Sequence, residues 1–129
     1  MRRAALCLAL SASLAGVIRP CQVETQTAGL PELPQLALDD VPPIIRVPIQ
    51  EAYDAVVAHP QDASANGRLG MFLHAHNFFQ EAEVCYRRAH LLDPNSFRWV
   101  YYLGLVQLGR ADCDQAVSSF RKALRLDAE

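Results

Sequence analysis

The sequence predicts an all-α fold in which antiparallel helix hairpins stack into a short α-solenoid. Residues separated by 34 positions match one another over much of the second half of the chain. Apolar residues recur there at helical spacing, and prolines and N-capping residues divide the chain into segments of helical length. The 129 residues suffice for one such domain, and a net charge of −2 gives no electrostatic reason to expect nucleic acid as a partner.

The N-terminal residues have the composition of an export signal. Arg2 and Arg3 precede an uninterrupted apolar and small-residue stretch from Ala4 to Ile18. A membrane span needs about 20 apolar residues, so this stretch is short for one. We therefore expect residues 1–15 to be a signal peptide cleaved after Ala15, and the protein to be periplasmic or extracellular. The alternatives are an uncleaved N-terminal segment, which would place the protein at a membrane, lipidation at Cys21, and a misassigned start of the sequence.

Residues 16–47 are predicted to form a proline-rich linker. Pro31, Pro34, Pro42 and Pro43 lie in this segment. Prolines at this density prevent a long helix and favour extended chain. The linker either tethers the N-terminus to the domain or lies along a groove of the folded part.

The helical domain is predicted to span residues 48–129. Pro48 suits the first turn of a helix and Pro60 stops it. Asp62 and Ser96 are N-capping residue types at equivalent positions of the next two hairpins. The expected helices are 48–58, 63–76, 79–92, 97–109 and 113–126.

An internal repeat with a period of 34 residues defines two units, 63–96 and 97–129. The matching pairs are Leu69/Leu103, Gly70/Gly104, Ala82/Ala116, Tyr86/Phe120, Ala89/Ala123, Leu92/Leu126 and Asp93/Asp127. The helix 48–58 corresponds to the second half of such a unit, because Ala55 and Pro60 precede Ala89 and Pro94 by the same 34 positions.

These residues resemble the tetratricopeptide repeat (TPR) family, whose unit has about 34 residues. The resemblance implies two antiparallel helices per unit. In the first unit, Gly70 and Ala82 would let the helices approach closely, and Tyr86 would fill the space beneath the next helix.

The chain departs from the family pattern at several positions. Asn66 and Val100 replace a large aromatic residue of the first helix, although Trp99 lies beside Val100. Asn77 replaces the glycine that ends this helix, and asparagine tolerates the left-handed conformation needed there. Gly109 comes two positions before the equivalent site, so we expect the first helix of the second unit to end early.

No metal, cofactor or catalytic site is predicted, and the protein is not expected to be an enzyme. Residues 74–90 contain metal-ligand types, but His74 and His76 diverge by about 200° on a helix. Cys85 with His74 is the one pair that geometry leaves open, and two ligands do not make a zinc site. Asp112 and Asp114 fit helix capping better than acid–base chemistry. The basic residues of the second helices are expected on a solvated outer face: Arg87, Arg88, Arg121, Lys122 and Arg125.

The TPR resemblance implies a concave groove lined by the first helix of each unit. The residues that it places there are Ser64, Gly67, Met71, His74, Arg98, Tyr101, Leu105 and Leu108. This face is apolar and aromatic, which suits an extended peptide or protein segment that docks by side-chain pockets. The alternative is that the same residues pack against a neighbouring helix or the linker.

We therefore predict an exported protein-interaction scaffold that binds a peptide or protein. The alternative is an accessory TPR region of a longer exported enzyme or electron-transfer protein, and a third possibility is a self-assembling structural protein. Repeat arrays of this type need about three units for stability. We accordingly expect either that the chain is a fragment of a longer array or that it associates through its C-terminal helix.

Overall fold

A computed structural model describes residues 29–127, and all secondary structure in this range is helical. The helices are α1 (Pro43–Ala58), α2 (Ala63–Ala75), α3 (Phe79–Leu92), α4 (Phe97–Gly109) and α5 (Cys113–Asp127). Each helix packs against the next one along the chain, so the predicted all-α fold is confirmed. None of these helices is long and apolar enough to cross a membrane. The predicted signal peptide and Cys21 lie outside the described residues.

Helix α1 begins earlier than predicted. It starts at Pro43, so the boundary expected between residues 47 and 48 falls inside the helix, and Pro48 is an internal residue. The carbonyl of Pro42 accepts hydrogen bonds of 2.9 Å from the backbone amides of Ile45 and Arg46. Pro48 removes one backbone donor, but Ile45 packs against the core and Ile49 is fully buried. Burial of these side chains explains why the helix extends across the proline.

The described part of the proline-rich segment, residues 29–42, lies against the helices. Leu38 is buried in the core, and Leu33, Leu36 and Val41 pack against it. The carbonyl of Pro31 accepts a hydrogen bond from Arg88 of α3. Residues 29–42 therefore lie along the folded domain and cover part of it, as the second predicted alternative for the linker has it.

Backbone hydrogen bonds recur with the same 34-residue period as the sequence. Equivalent bonds follow α2 and α4: Asn77 N to His74 O (3.1 Å) and Phe78 N to Leu73 O (2.9 Å), then Ala111 N to Leu108 O and Asp112 N to Gln107 O (both 2.9 Å). Equivalent bonds also end α1 and α3: His59 N to Ala55 O (3.0 Å) and Asp93 N to Ala89 O (2.9 Å). Helix α1 therefore ends in the same way as the second helix of a unit.

The turns inside both hairpins contain a residue with left-handed backbone at the same register. Asn77 has a φ of 65° and Ala111 has a φ of 61°. Helix α4 ends at Gly109, which is 34 positions after Ala75, the last residue of α2. The two helices therefore have the same length, and the expectation that α4 ends early relative to the first unit was wrong. Ala111 therefore occupies the left-handed position of this turn, and its Cβ makes this conformation unfavourable.

Replacing Ala111 by glycine is expected to stabilise the protein. Glycine adopts a positive φ without steric cost, so we expect Ala111→Gly to raise the free energy of unfolding by about 0.5–1 kcal/mol. The control is Ala55→Gly at an exposed site inside α1, where the same substitution should lower it by about 1 kcal/mol. Urea unfolding followed by circular dichroism measures both values, and the same sign for both variants would contradict the prediction.

Glycines inside the helices mark close approach between elements. A Cβ at Gly70 would lie 2.9 Å from ring carbons of Tyr86, and one at Gly104 would lie 2.7 Å from Phe120 Cε1. A Cβ at Gly67 would overlap the ring of Trp99. Trp99 therefore packs onto the preceding unit, which accounts for its displacement by one position from the site where an aromatic residue was expected.

Candidate functional site

Side chains from four helices form a continuous series of aromatic rings, which we call the aromatic row. Tyr86 of α3 stacks on Tyr102 of α4 with ring centroids 5.5 Å apart, and His74 of α2 meets Tyr86 edge-on at 6.0 Å. Tyr101 lies 6.0 Å from Tyr102. The row is completed by Phe79 at 5.6 Å from His74, and by Phe97 and Phe120 at 5.3 Å and 5.8 Å from Tyr101.

The repeat positions the centre of this row. Tyr86 and Phe120 occupy equivalent positions of α3 and α5, and each packs on an equivalent glycine, Gly70 or Gly104. Because these glycines have no side chain, the rings lie close to the backbone of the preceding helix. Tyr86 is fully buried, so it supports the rings on either side of it and contributes little surface itself.

The exposed part of the row lies on α4 and is continued by aliphatic side chains. Tyr101 and Phe97 stack nearly parallel and are 38% and 36% exposed, although both are large and apolar. Met71 and Leu108 are 42% and 53% exposed. A shallow groove of about 380 Å³ beside them is lined by Met71, His74, Ala75, Tyr86 and Tyr102.

The structure separates the predicted concave-face residues into three groups. Met71, His74 and Tyr101 belong to the aromatic row or to the groove beside it, and Leu105 and Leu108 follow on α4. Gly67 is covered by Trp99, and the guanidinium of Arg98 lies 5.5 Å from the centroid of the Trp99 ring system. Ser64 lies apart from them, in a cavity between α1 and α2.

Phe97 and Tyr102 were missed as candidate site residues. Phe97 precedes Tyr101 by four positions on α4, which places two aromatic residues on one helix face. That spacing was visible in the sequence. Tyr102 had no such signal, because its role depends on stacking against Tyr86 from a different helix.

Burial keeps the groove uncharged at neutral pH. Partial burial of His74 lowers the pKa of its imidazole, and burial raises the pKa of the Tyr86 hydroxyl. The two groups face each other, with Tyr86 Oη 3.5 Å from His74 Nδ1. A neutral, mostly apolar groove favours apolar or aromatic side chains of a ligand over charged ones.

Cys85 behaves as a core residue. Its side chain is fully buried, and a Cβ at Gly70 would lie 3.3 Å from Cys85 Cβ. Burial raises the pKa of the Cys85 thiol to about 12, so the thiolate needed for metal binding is disfavoured. Within residues 29–127 no group of three His, Cys, Asp or Glu side chains lies close enough together to hold a metal ion.

Arg88 was wrongly assigned to the solvated outer face. It is only 6% exposed. Its Nε donates to Asn66 Oδ1 at 2.6 Å, and its other nitrogens donate to the backbone carbonyls of Pro31 and Pro60. Asn66 in turn donates to the carbonyl of Asp62 at 2.8 Å. We call Arg88, Asn66 and these three carbonyls the Arg88 network; it joins α3, α2 and the extended segment, so its role is structural.

A second polar contact, which is partly buried, links α3 to α5. Lys122 Nζ lies 2.6 Å from His90 Nε2, and the ammonium can donate only to a neutral imidazole. His90 Nδ1 is buried without a hydrogen-bond partner in the described residues. Burial, and then the charge of Lys122, lower the pKa of His90.

This contact predicts that stability falls as the pH falls below neutrality. Unfolded His90 takes up a proton near its ordinary pKa of 6.5, whereas folded His90 does so only at lower pH. Between these two values the unfolded state binds more protons, so the free energy of unfolding rises with pH. Urea unfolding at pH 7.5 and pH 5.5 measures the slope. His90→Gln should reduce this slope while His59→Gln at an exposed site should not, and an unchanged slope in His90→Gln would contradict the prediction.

Comparison with known proteins adds no further assignment. No protein-family model matches the chain, and a search of curated proteins finds no match.

Proposed function

We propose that the protein is an exported protein-interaction scaffold that binds an extended peptide or protein segment along the aromatic row. The stacked pair of Tyr101 and Phe97 carries this proposal, because more than a third of each ring is exposed. Large, rigid aromatic side chains that remain accessible beside a shallow apolar groove are typical of binding surfaces.

The repeat architecture supports the proposal. Backbone hydrogen bonds that recur every 34 residues, together with the resemblance of Gly70, Ala82, Tyr86 and Ala89 to the tetratricopeptide pattern, favour a short TPR-like α-solenoid. In such an array the first helices present a continuous surface to a ligand. Here these helices are α2 and α4, which carry Met71, His74 and Tyr101.

The composition of this surface indicates which ligand it would bind. Some TPR proteins hold a C-terminal carboxylate with Lys and Asn, but here Gly67, Met71, Tyr101 and Leu105 stand at those positions. Apolar side chains of the ligand would instead enter the groove between Met71 and Tyr102. Arg98 is exposed near one end of the row and would favour an acidic residue in the ligand. The proposed role needs no catalytic group, metal or cofactor.

Export is part of the same proposal. It rests on Arg2, Arg3 and the apolar stretch of residues 4–18, all outside the described residues. The proposed site of action is accordingly the periplasm or the extracellular space.

Loss of the Tyr101 ring is expected to weaken ligand binding. Peptides selected on the purified protein from a random display library should bind Tyr101→Ala about tenfold or more weakly, because exposed aromatic anchors commonly contribute 1–2 kcal/mol or more. Fluorescence anisotropy with labelled peptides measures the change.

The matched control is Leu124→Ala on α5. Leu124 is 67% exposed and lies outside the aromatic row, so its loss should leave affinity unchanged. The proposed site would be contradicted if no recovered peptide bound Tyr101→Ala more weakly than it binds Leu124→Ala and the parent protein.

A further inference from the structure

A second surface, separate from the aromatic row, lies between α1 and α2. We call it the α1–α2 groove. It is a cavity of about 320 Å³ lined by Glu51, Ala52 and Ala55 of α1 and by Ala65, Arg68 and Phe72 of α2, among others. Three of its lining residues are alanines, and its charged lining comprises the carboxylates of Glu51 and Asp62 and the guanidinium of Arg68, with His59 beside them.

The corresponding groove one unit further along the chain is filled. Shifting the lining residues by 34 positions leads to the groove between α3 and α4, and α2 lies in it. Gly70 of α2 faces Cys85 and Tyr86, and Gly67 faces Trp99. Cys85, Tyr86 and Trp99 correspond to Glu51, Ala52 and Ala65 of the α1–α2 groove.

Exposure shows that no helix within residues 29–127 occupies the α1–α2 groove. Ala89 and Cys85 are fully buried, whereas their equivalents Ala55 and Glu51 are exposed. The residues that precede α2 by one period, 29–41, are extended and contain prolines. They pack elsewhere, with Leu36 beside Tyr53 and with the carbonyl of Pro31 at Arg88.

We propose that the α1–α2 groove is the docking site for one amphipathic helix of a partner protein, bound where the repeat would place the first helix of a preceding unit. This helix carries a large apolar residue followed three positions later by Lys or Arg.

The size of the residues in the two grooves explains why the docked helix carries a large apolar residue. Trp99 and Tyr86 fill the space against Gly67 and Gly70 of α2. In the α1–α2 groove their places are taken by Ala65 and Ala52, so the bulk has to come from the docked helix. A large apolar side chain at the position equivalent to Gly67 fills the space above Ala65.

The negative charge of Glu51 explains why the docked helix carries Lys or Arg three positions later. Cys85, which faces Gly70, is replaced by the exposed Glu51. A Lys or Arg at the position equivalent to Gly70 lays its aliphatic stem along the exposed side of α1 and brings its charge to Glu51. Docking by an apolar helix face in a groove is a common mode of peptide recognition.

A synthetic peptide of residues 62–76 that carries Gly67→Leu and Gly70→Lys tests the proposal. Its fluorescence anisotropy should show saturable binding to the whole protein, and the unsubstituted peptide should bind more weakly. Ala55→Trp should fill the groove and lower the affinity about tenfold or more. Val57→Trp is the matched control, because Val57 is 61% exposed on the same helix and lies outside the groove.

A charge exchange tests the register of the docked helix. Glu51→Lys should weaken binding of the Gly70→Lys peptide several-fold, the range expected for exposed ion pairs. A peptide with Gly70→Glu should recover affinity for that variant. Tyr101→Ala should leave the affinity of these peptides unchanged, which separates this site from the aromatic row.

Three outcomes would overturn the proposal. The first is that no saturable binding occurs, or that it is equal for Ala55→Trp and Val57→Trp. The second is a self-association, without peptide, that Ala55→Trp abolishes, which would assign the groove to a second copy. The third is binding that appears only after proteolytic removal of residues 1–28, which would assign the groove to the N-terminal residues of the chain itself.

Discussion

Gly67→Ala is expected to destabilise the protein although alanine is the better helix former. Alanine in a helix interior is favoured over glycine by about 1 kcal/mol. At this position, however, the new Cβ overlaps the ring of Trp99, which is only 4% exposed. Displacing a buried indole costs more than the gain in helix propensity, so we expect a net loss of about 2 kcal/mol in the free energy of unfolding.

Urea unfolding of four variants tests this expectation: Gly67→Ala, Gly109→Ala, Trp99→Leu and the combination of Gly67→Ala with Trp99→Leu. Gly109→Ala is the control, because a Cβ there would lie 3.3 Å from Phe79 Cε1, where a small movement of the ring suffices. Trp99→Leu combined with Gly67→Ala should cost less than the sum of the two single changes, since the smaller side chain leaves room for the methyl group. Additive losses would show that Gly67 and Trp99 do not contact each other in the way described.

Arg88→Ala is expected to cause the largest loss of stability, about 2–4 kcal/mol. The substitution removes the guanidinium donor from Asn66 Oδ1, which is fully buried, and from the partly buried carbonyl of Pro31. The carbonyl of Pro60 still accepts from Asn66 Nδ2. Each buried acceptor that loses its partner costs about 1–3 kcal/mol. Arg88→Lys should recover only part of the loss, because an ammonium lacks the planar set of donors of the guanidinium.

The neighbouring Arg87 supplies the control. Its side chain is 50% exposed and pairs at 2.7 Å with the buried carboxylate of Glu83, which also pairs with Arg110. Because Glu83 keeps Arg110 as a partner, loss of the half-exposed Arg87 removes only the weaker, solvent-screened pair, which contributes about 0–1 kcal/mol. Arg87→Ala should therefore cost less than 1 kcal/mol. If Arg87→Ala and Arg88→Ala destabilised the protein equally in urea unfolding, the structural role of the Arg88 network would be refuted.

Much of the fold was predictable from the sequence because the determining interactions are local. Caps, prolines and apolar spacing act within a few residues, and they placed α2 to α5 within one residue of their observed bounds. Asn77 was predicted for the left-handed turn, and it has a φ of 65°. The start of α1 was not predictable in this way, because the helix crosses Pro48 and packs Ile45 against the core, and tertiary packing of this kind leaves no local signal.

The candidate site was only partly predictable. The repeat register indicated Met71, His74 and Tyr101, which the structure places along the aromatic row. It could not show that Tyr102 joins the row, since that depends on stacking against Tyr86 from α3. It also included Ser64, which the structure places in the α1–α2 groove, where residues 29–41 are extended and supply no covering helix.

The contrast between Arg87 and Arg88 separates the two kinds of information. The sequence by itself determined that both lie on the second helix of a unit, since helical spacing and the 34-residue period are properties of the chain. Only the tertiary structure decided that one faces solvent and the other is buried. The reason is that Asn66 and the carbonyls of Pro31 and Pro60 meet Arg88 from three segments, Pro31 lying 57 positions away in the chain, and no local pattern records such a convergence.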